Sequence, residues 1–186
     1  MNFAKTGFTV LFLAMVCALA GCRGGAGDSP APARQGRVND FAGVLSDSTV
    51  AALSTTLQDY EEETCHQVVV AIFPSLKGEL ISDLSSRIMA SWEVGYPHLE
   101  NGLLVTVALQ EGGARIDAGS GLEVIVADQR GESILRHDMF PSFKEDRIDE
   151  GIRQGLESIM EEGRKIVIPP DLRPPVCGTV LPPSRE

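Results

Sequence analysis

The chain has 186 residues, of which 43% are hydrophobic, and a formal net charge of −10 at pH 7. This length is enough for one domain of ordinary size with additional terminal segments. The acidity argues against a nucleic acid partner, because phosphates would repel the protein, and it is compatible with cations or basic partners.

Residues 1–21 have the pattern of an export signal. One positive charge, Lys5, precedes the almost wholly apolar stretch 8–20. Such a stretch is too short for a membrane span and is typical of a signal peptide. It ends in Leu19-Ala20-Gly21-Cys22, which resembles the lipobox of bacterial lipoproteins, where cleavage precedes the cysteine and the cysteine is acylated. We therefore expect membrane attachment through Cys22, with an ordinary signal peptide as the alternative.

The residue after the expected lipidation site bears on location. It is Arg23, whereas aspartate at this position retains lipoproteins at the inner membrane in some Gram-negative species. For a Gram-negative source we therefore expect an outer-membrane lipoprotein on the periplasmic side.

Composition marks segments on both sides of the domain. Residues 22–36 are rich in Gly, Ala, Pro and Ser, which predicts a flexible linker. Residues 167–186 contain six prolines and cannot continue a helix, which predicts a wrapped or disordered tail. The folded domain is expected over residues 37–166.

Helical and strand patterns alternate within the expected domain. In chain order the predicted elements are a helix capped by Ser46 and carrying Val50, Leu53, Leu57 and Tyr60, a buried strand over 67–73, a helix carrying Ile81, Leu84, Ile88 and Trp92, a buried strand over 102–109, a return strand over 114–118, a short helix around 134–139 that ends before Pro141, and a helix from Ile148 to Ile159. This order predicts a single layered α/β domain with a mixed central β-sheet flanked by helices.

Gly119-Ser120-Gly121 and Glu123 follow the return strand. The spacing is close to a dinucleotide fingerprint, but the third glycine is missing and the preceding strand reads as a hairpin, so we expect no nucleotide cofactor. Glycine tolerates positive φ and leaves backbone N–H groups close to a ligand. The stretch therefore predicts a polar pocket at the end of the strand.

Carboxylates are the candidate ligands of this pocket. Glu100, Glu123 and Asp128 lie near predicted strand ends, and clustered carboxylates suit calcium or magnesium better than zinc. The histidines have no ligand spacing and are expected at the surface; they are His66, His98 and His137.

Two cysteines remain after the expected export and lipidation. Cys65 and Cys177 could pair in an oxidising compartment. The sequence does not show whether their Cα atoms come within reach, so the pairing stays open.

A set of ordered motifs resembles the TPM domain, a family of thylakoid lumen and bacterial envelope proteins. Residues 38–46, VNDFAGVLS, resemble its opening signature. The later matches are Glu63-Thr64-Cys65-His66-Gln67 to E-T-G-x-Q, Trp92-Glu93-Val94-Gly95 to W-x-[IV]-G, Glu100-Asn101-Gly102-Leu103-Leu104 to D-N-G-[VL]-L, Arg115-Ile116 through Glu123 to R-I-x-x-G-x-G-L-E, and Phe140-Pro141-Ser142-Phe143-Lys144 to I-x-P-x-F-[KR].

The resemblance implies an α/β sandwich with an acidic, calcium-binding cleft. It points to Asp40, Glu100, Glu123 and Asp128 as metal ligands and to Gly102, Gly119 and Gly121 as the cleft loop. Acid phosphatase activity is attributed to the thylakoid branch, which here would use Asp40, Glu100, Glu123 and Arg115. Other members assist the assembly or repair of membrane complexes.

Three departures from the family pattern bear on function. Glu100 stands where the family has aspartate, and residues 96–99 replace the basic residues common there, which weakens a phosphate-handling role. Cys65 stands where the family has glycine. At a helix terminus with positive φ this costs on the order of 1 kcal/mol, which a bond to Cys177 would make more tolerable.

These observations support three functional readings. The favoured one is a lipid-anchored, non-catalytic module that holds calcium or magnesium and contacts an unidentified envelope protein. The alternative is a metal-assisted acid phosphatase. In the third, Asp40, Arg115 and Glu123 form a structural ion pair or helix cap without any ligand.

Overall fold

The computed structural model describes residues 30–178. The elements are, in chain order, β1 (Val38–Asp40), α1 (Asp47–Thr64), β2 (Gln67–Phe73), α2 (Ile81–Ser91), β3 (Gly102–Ala108), β4 (Gly113–Ala118), a 3₁₀ helix (Ser120–Ile125), α3 (Arg130–Ile134), a π-helical turn (Leu135–Met139), α4 (Phe140–Phe143) and α5 (Ile148–Arg164). The sheet order is β1-β2-β3-β4. The predicted α/β fold with a mixed sheet and flanking helices is confirmed.

The direction of the strands defines two edges of the sheet. β1, β2 and β3 are parallel, whereas β4 returns antiparallel to β3. Gln67, Gly102 and Ala118 therefore lie at one edge, called here the N-terminal edge. Phe73 and Ala108 lie at the opposite, C-terminal edge.

Helices cover both faces of the sheet. Every residue of β2 and β3 is buried, as the continuous apolar runs predict for strands covered on both sides. One face packs on the larger core, with Leu57, Ile125, Met139, Ile152 and Leu156 among its members. The other face packs against α2 through Val69, Ala71, Leu104, Ile88 and Trp92. Each fully buried Leu or Ile contributes roughly 1.5–3 kcal/mol.

The first helix begins and ends as its sequence predicts. Ser46 is the N-cap, and its Oγ accepts a 3.1 Å hydrogen bond from the Thr49 amide. The helix ends at Cys65, which has a left-handed backbone with φ of 61° and donates its N–H to Glu61. This is the conformation that glycine adopts most easily at a helix terminus.

One predicted boundary is wrong. The helix expected to end before Pro141 instead passes through a π-helical turn and continues to Phe143. In that turn the Phe140 amide donates to Leu135, five residues back. Proline lacks an N–H and its ring crowds the carbonyl four residues earlier, and the wider turn accommodates both features.

The fold also begins before residue 37. The Trp92 indole Nε1 donates to the Pro32 carbonyl at 2.8 Å, and Arg34, which is buried, donates to the Trp92 carbonyl at 3.1 Å. Ala31 packs against the α2 side of the core. Residues 31–36, expected to belong to a linker, are therefore part of the domain.

The C-terminal tail wraps back onto the fold as far as it is described. Ile168 is buried, and Arg173 donates to the Glu63 carbonyl at 2.9 Å. No helix within residues 30–178 is long and apolar enough to cross a membrane. The expected signal peptide and Cys22 lie outside the described residues.

Candidate functional site

Asp40 organises a loop at the C-terminal edge. It ends β1, and its carboxylate accepts backbone hydrogen bonds from Ala42 at 3.1 Å, Gly43 at 2.9 Å and Leu45 at 2.7 Å. Three N–H donors occupy both carboxylate oxygens. Asp40 therefore has a capping role in the loop that leads into α1.

The structure does not bring Asp40 together with the other candidate ligands. Asp40 pairs in register with Ile72, whereas Glu100 precedes Gly102, which pairs with Gln67. The five residue steps of β2 between these positions measure about 16 Å. The expected convergence of Asp40 with Glu100 and Glu123 is wrong. The sequence pattern does not give the direction of each strand, and therefore does not show at which edge of the sheet a residue lies.

Glu100 and Glu123 do lie close together, at the N-terminal edge. The Ser120 hydroxyl donates to the Glu100 carboxylate. Ser120 and Glu123 are three residues apart in the 3₁₀ helix, and residues at that spacing share one face. All three are exposed. The result is a solvent-facing acidic cluster of Glu100, Ser120 and Glu123.

Glycines let the backbone segments of this cluster approach closely. A Cβ on Gly119 or Gly121 would collide with the backbone of Leu99–Glu100, and one on Gly102 would collide with Val94. The amides of Gly119 and Gly121 donate to the carbonyls of Gly102 and Glu100 at 2.9 and 3.0 Å. These N–H groups are used within the fold, so the expectation that they face a ligand is wrong.

Asp128 follows the 3₁₀ helix and is exposed, with φ of 51°. The Glu123 carbonyl accepts hydrogen bonds from the amides of Val126 and Ala127, which places Asp128 one turn beyond Glu123. Among residues 30–178, no three Asp, Glu, His or Cys side chains are arranged to hold a metal ion.

Arg115 is held away from the acidic cluster. It lies opposite Thr106 in the middle of β4 and forms an ion pair with Asp117 at 2.6 Å. The Ser85 hydroxyl of α2 also donates to Asp117. Arg115 thus has a structural partner on the α2 face of the sheet.

A buried polar network lies beneath the same edge. Glu61, fully buried in the last turn of α1, pairs with Arg37 at 3.0 Å and accepts hydrogen bonds from Gln67 at 3.1 Å and Tyr96 at 2.9 Å. Burial raises the pKa of Tyr96 to about 12, and its protonated hydroxyl is the donor to Glu61. The α1 pattern of alternating apolar and polar residues gave no sign of these partners.

Gln67 and Asn101 join the network to neighbouring loops. The Gln67 side-chain oxygen accepts from the Gly95 amide at 2.9 Å, and Asn101 accepts from the Tyr96 amide at 3.0 Å while donating to the Cys65 carbonyl. The chain therefore fixes the approach to β3 through two buried amide side chains.

His66 is the exception among the histidines. His98 and His137 are exposed as expected, but His66 is fully buried, which corrects the surface assignment. Its Nδ1 lies 3.4 Å from the Tyr60 hydroxyl, and its Nε2 has no hydrogen-bond partner among the described residues. Burial, and secondarily the charge of Arg173, lowers its pKa to about 4.

Cys65 and Cys177 form a disulfide, with Cα atoms 5.1 Å apart. The residue that replaces the family glycine at the left-handed end of α1 is thus bonded to the C-terminal segment.

The opposite edge carries an apolar groove of about 440 Å³. Its lining includes Val44 from the Asp40 loop, Leu109 from the β3–β4 hairpin, and Phe140, Phe143 and Lys144 from the α4 region. The groove lies beside the β3–β4 turn, which is at the C-terminal edge. It is therefore at the opposite end of the strands from the acidic cluster.

The family comparison agrees with this geometry. The family model described as the TPM domain matches residues 38–162. The chain belongs to the TPM domain family. No curated protein sequence matches it at a significant level.

Solved structures share the TPM fold. The N-terminal domain of a P. gingivalis protein is 26% identical with a TM-score of 0.63, covering 67% of this chain and 80% of that one. The BA42 protein of Bizionia argentinensis is 19% identical with a TM-score of 0.61, covering 76% and 97%. An N-terminal domain from Corynebacterium glutamicum is 17% identical with a TM-score of 0.53, covering 75% and 84%.

Most of the TPM motif residues of this chain meet at the N-terminal edge. The segments around Gln67, Gly95, Asn101 and Gly119 contact one another there through the bonds described above. The opening motif around Asn39 and Asp40 instead builds the β1 turn. Its Asn39 is fully buried and donates to the Val70 carbonyl at 3.0 Å.

Proposed function

We propose that this TPM-domain protein is a lipid-anchored envelope protein whose N-terminal edge binds a divalent cation and contacts an envelope partner without catalysing a reaction. The observation that carries the proposal is the exposed pair Glu100 and Glu123, brought to one face through Ser120. Attachment would follow from acylation of Cys22, in keeping with the lipobox resemblance.

The donor atoms of the cluster suit a hard cation. Carboxylates and a hydroxyl are oxygen ligands, which calcium and magnesium prefer. Calcium takes 6–8 oxygens, so two glutamates leave most positions to water or to a partner. A site of this kind is expected to bind calcium weakly, with a Kd on the order of 10⁻⁴–10⁻³ M. Asp128 is near enough along the chain to add a third carboxylate after a local adjustment.

The position of Arg115 favours cation binding over phosphate hydrolysis. A phosphate-handling site requires cationic donors facing the substrate. Arg115, the arginine that a phosphatase would use, is paired with Asp117 and lies in the middle of β4. The acidic cluster would repel a phosphomonoester unless a metal ion neutralised it.

Thermal melting with calcium tests the cation site. In the mature chain, 5 mM calcium is expected to raise Tm by a few degrees, because a ligand that binds only the native state stabilises it. Glu100→Gln and Glu123→Gln are expected to remove the shift. Glu157→Gln, an exposed change on α5, is the matched control and should retain it. No shift in the unmutated protein would remove the cation from the proposal.

Two further measurements test the remaining parts. Hydrolysis of p-nitrophenyl phosphate is expected to stay at background with calcium, magnesium or chelator; turnover that Glu123→Gln abolishes would establish the phosphatase instead.

In cells, Cys22→Ser is expected to release the protein from the membrane fraction. Retention of that variant in membranes would contradict lipid anchoring.

A further inference from the structure

The C-terminal strap, defined as residues 173–178, is fixed to the N-terminal edge at three points. Arg173 donates to the Glu63 carbonyl at 2.9 Å, and Cys177 is disulfide-bonded to Cys65. Gly178 is buried. The strap thus joins the end of the described chain to the end of α1, across a sequence separation of 112 residues.

Gly178 is held through its backbone. Its carbonyl accepts from Arg37 Nη2 at 3.0 Å, and its amide donates to the Tyr96 hydroxyl at 3.1 Å. Arg37 and Tyr96 are in turn oriented by the same carboxylate, Glu61. The two groups bind the C=O and the N–H of one residue, so they recognise the main chain of the strap.

The arrangement of Arg37, Glu61 and Tyr96 has a feature that stability alone does not explain. A buried ion pair contributes little net stability, because desolvation of both charges offsets their attraction. Here Arg37 of the pair also donates to the strap, and Tyr96, which donates to Glu61, accepts from the strap. Arg37 Nη2 and the Tyr96 hydroxyl are therefore two preformed groups that bind the backbone of the strap.

We propose that Arg37, Glu61 and Tyr96 form a peptide-binding cleft that the strap occupies, and that reduction of the Cys65–Cys177 disulfide frees this cleft for a glycine-containing peptide of a partner protein. This goes beyond the cation-binding proposal and does not depend on it.

The redox step needs a dithiol, such as an envelope oxidoreductase of the thioredoxin class. Its thiolate attacks one sulfur of the Cys65–Cys177 bond and forms a mixed disulfide while the other cysteine leaves as a thiolate. The second thiol of the dithiol then displaces the protein cysteine. Two electrons pass from the dithiol to the protein, which ends with two thiols, while the dithiol becomes a disulfide.

The geometry of Gly178 defines the peptide. Its φ is +81°, and a Cβ there would meet the side chain of Glu62. A glycine with positive φ is therefore required where the peptide contacts Arg37 and Tyr96. Gly178→Ala is expected to weaken the binding of the strap to the cleft while leaving Arg37, Glu61 and Tyr96 unchanged.

Hydrogen exchange tests whether the disulfide holds the strap in the cleft. In the oxidised full chain the Gly178 amide is expected to be protected, and dithiothreitol is expected to speed its exchange at least tenfold. Amides of β2 and β3 should keep their protection in both states. Unchanged exchange at Gly178, or a general loss of protection in β2 and β3, would overturn the proposal, because the disulfide would then be inert or a global staple.

Peptide binding tests the cleft. The probe is a fluorescent peptide with the sequence of residues 172–178 and serine in place of cysteine, followed by anisotropy. Binding is expected to be strongest to reduced Gly178→Ala, weaker to the reduced unmutated chain, where the tethered strap competes, and undetectable to the oxidised chain. Equal binding to all three forms, or no binding to reduced Gly178→Ala, would refute the cleft.

A tyrosine pair supplies the matched control. In the reduced Gly178→Ala background, Tyr96→Phe removes the hydroxyl that accepts the peptide N–H and is expected to weaken binding roughly fivefold. Tyr60→Phe removes the other tyrosine hydroxyl, which lies beside His66, and should leave binding unchanged. Equal effects of the two changes would count against backbone recognition by Tyr96.

Discussion

The two edges of the sheet use their carboxylates in opposite ways. At the C-terminal edge, Asp40 accepts three backbone N–H groups and stabilises its own loop. At the N-terminal edge, Glu61 is buried in a satisfied network, while Glu100 and Glu123 face solvent. Only the N-terminal edge therefore combines a rigid polar foundation with exposed carboxylates that a ligand can reach.

The two edges show that a carboxylate at a strand end is not by itself a ligand-binding residue. Ligands of open α/β sheets usually lie at the carboxyl ends of the strands. In this TPM domain those ends carry the capped Asp40 loop and an apolar groove, and the exposed acidic cluster lies at the other edge. The edges differ in whether backbone N–H groups already occupy the carboxylates. They occupy Asp40 at the C-terminal edge, whereas Glu100 and Glu123 at the N-terminal edge face solvent.

The largest effect is expected from breaking the buried network. Arg37→Ala removes the positive charge that is paired with the buried Glu61 and should lower the free energy of unfolding by about 3–5 kcal/mol. Urea denaturation measures it. Arg153→Ala, an exposed change on α5, is the control and should cost no more than about 0.5 kcal/mol. A loss of under 1 kcal/mol in Arg37→Ala would mean that the network is dispensable.

A pH-dependent loss should come from His66. Its pKa is lowered to about 4 in the folded state, against an ordinary value near 6.5. The unfolded chain therefore binds the proton first, so stability is full above pH 6.5 and falls as the pH decreases towards 4. The loss is at most about 3 kcal/mol. In His66→Phe, unfolding free energies measured at pH 7 and 5 should differ less than in the unmutated chain. An identical decline would assign the effect to other groups.

A smaller effect is expected at the C-terminal edge. Asp40→Ala removes three hydrogen bonds to a partly exposed carboxylate and should cost about 2 kcal/mol. Its calcium response should match that of the unmutated protein, because Asp40 lies at the other edge. Loss of the calcium-induced Tm shift in this variant would show that the two edges communicate.

The smallest effect should have the opposite sign. Glu100 has φ of 45°, where a side chain costs roughly 1 kcal/mol relative to glycine. Glu100→Gly should therefore raise the free energy of unfolding by up to about 1 kcal/mol while weakening calcium binding. Destabilisation by this change would show that the bond from Ser120 outweighs the backbone strain.

The sequence was sufficient for the elements with strong periodicity. The apolar run of β2 predicts that strand to the residue, and the spacing in α5 predicts its start at Ile148 but places its end five residues before Arg164. β1 has three residues and exists as a strand only through pairing with β2, so no local pattern marks it. The 3₁₀ helix after Gly119 and the π-helical turn before Pro141 likewise depend on tertiary contacts.

The candidate site was predictable only in part. Glu100 and the glycine-rich segment around Gly119 do meet, as the motifs indicate. The placement of Asp40 required the direction of each strand, which composition does not encode. The Arg37–Glu61 pair joins the start of β1 to the end of α1, and that proximity follows from the parallel pairing of β1 with β2.

The two ends of the described chain lie at one end of the molecule. Pro32 contacts Trp92 after α2, and Gly178 contacts Arg37 before β1. A molecule that binds at this end would therefore meet the acidic cluster, the strap and both ends of the described chain together, whereas the Asp40 loop lies at the opposite end of the strands.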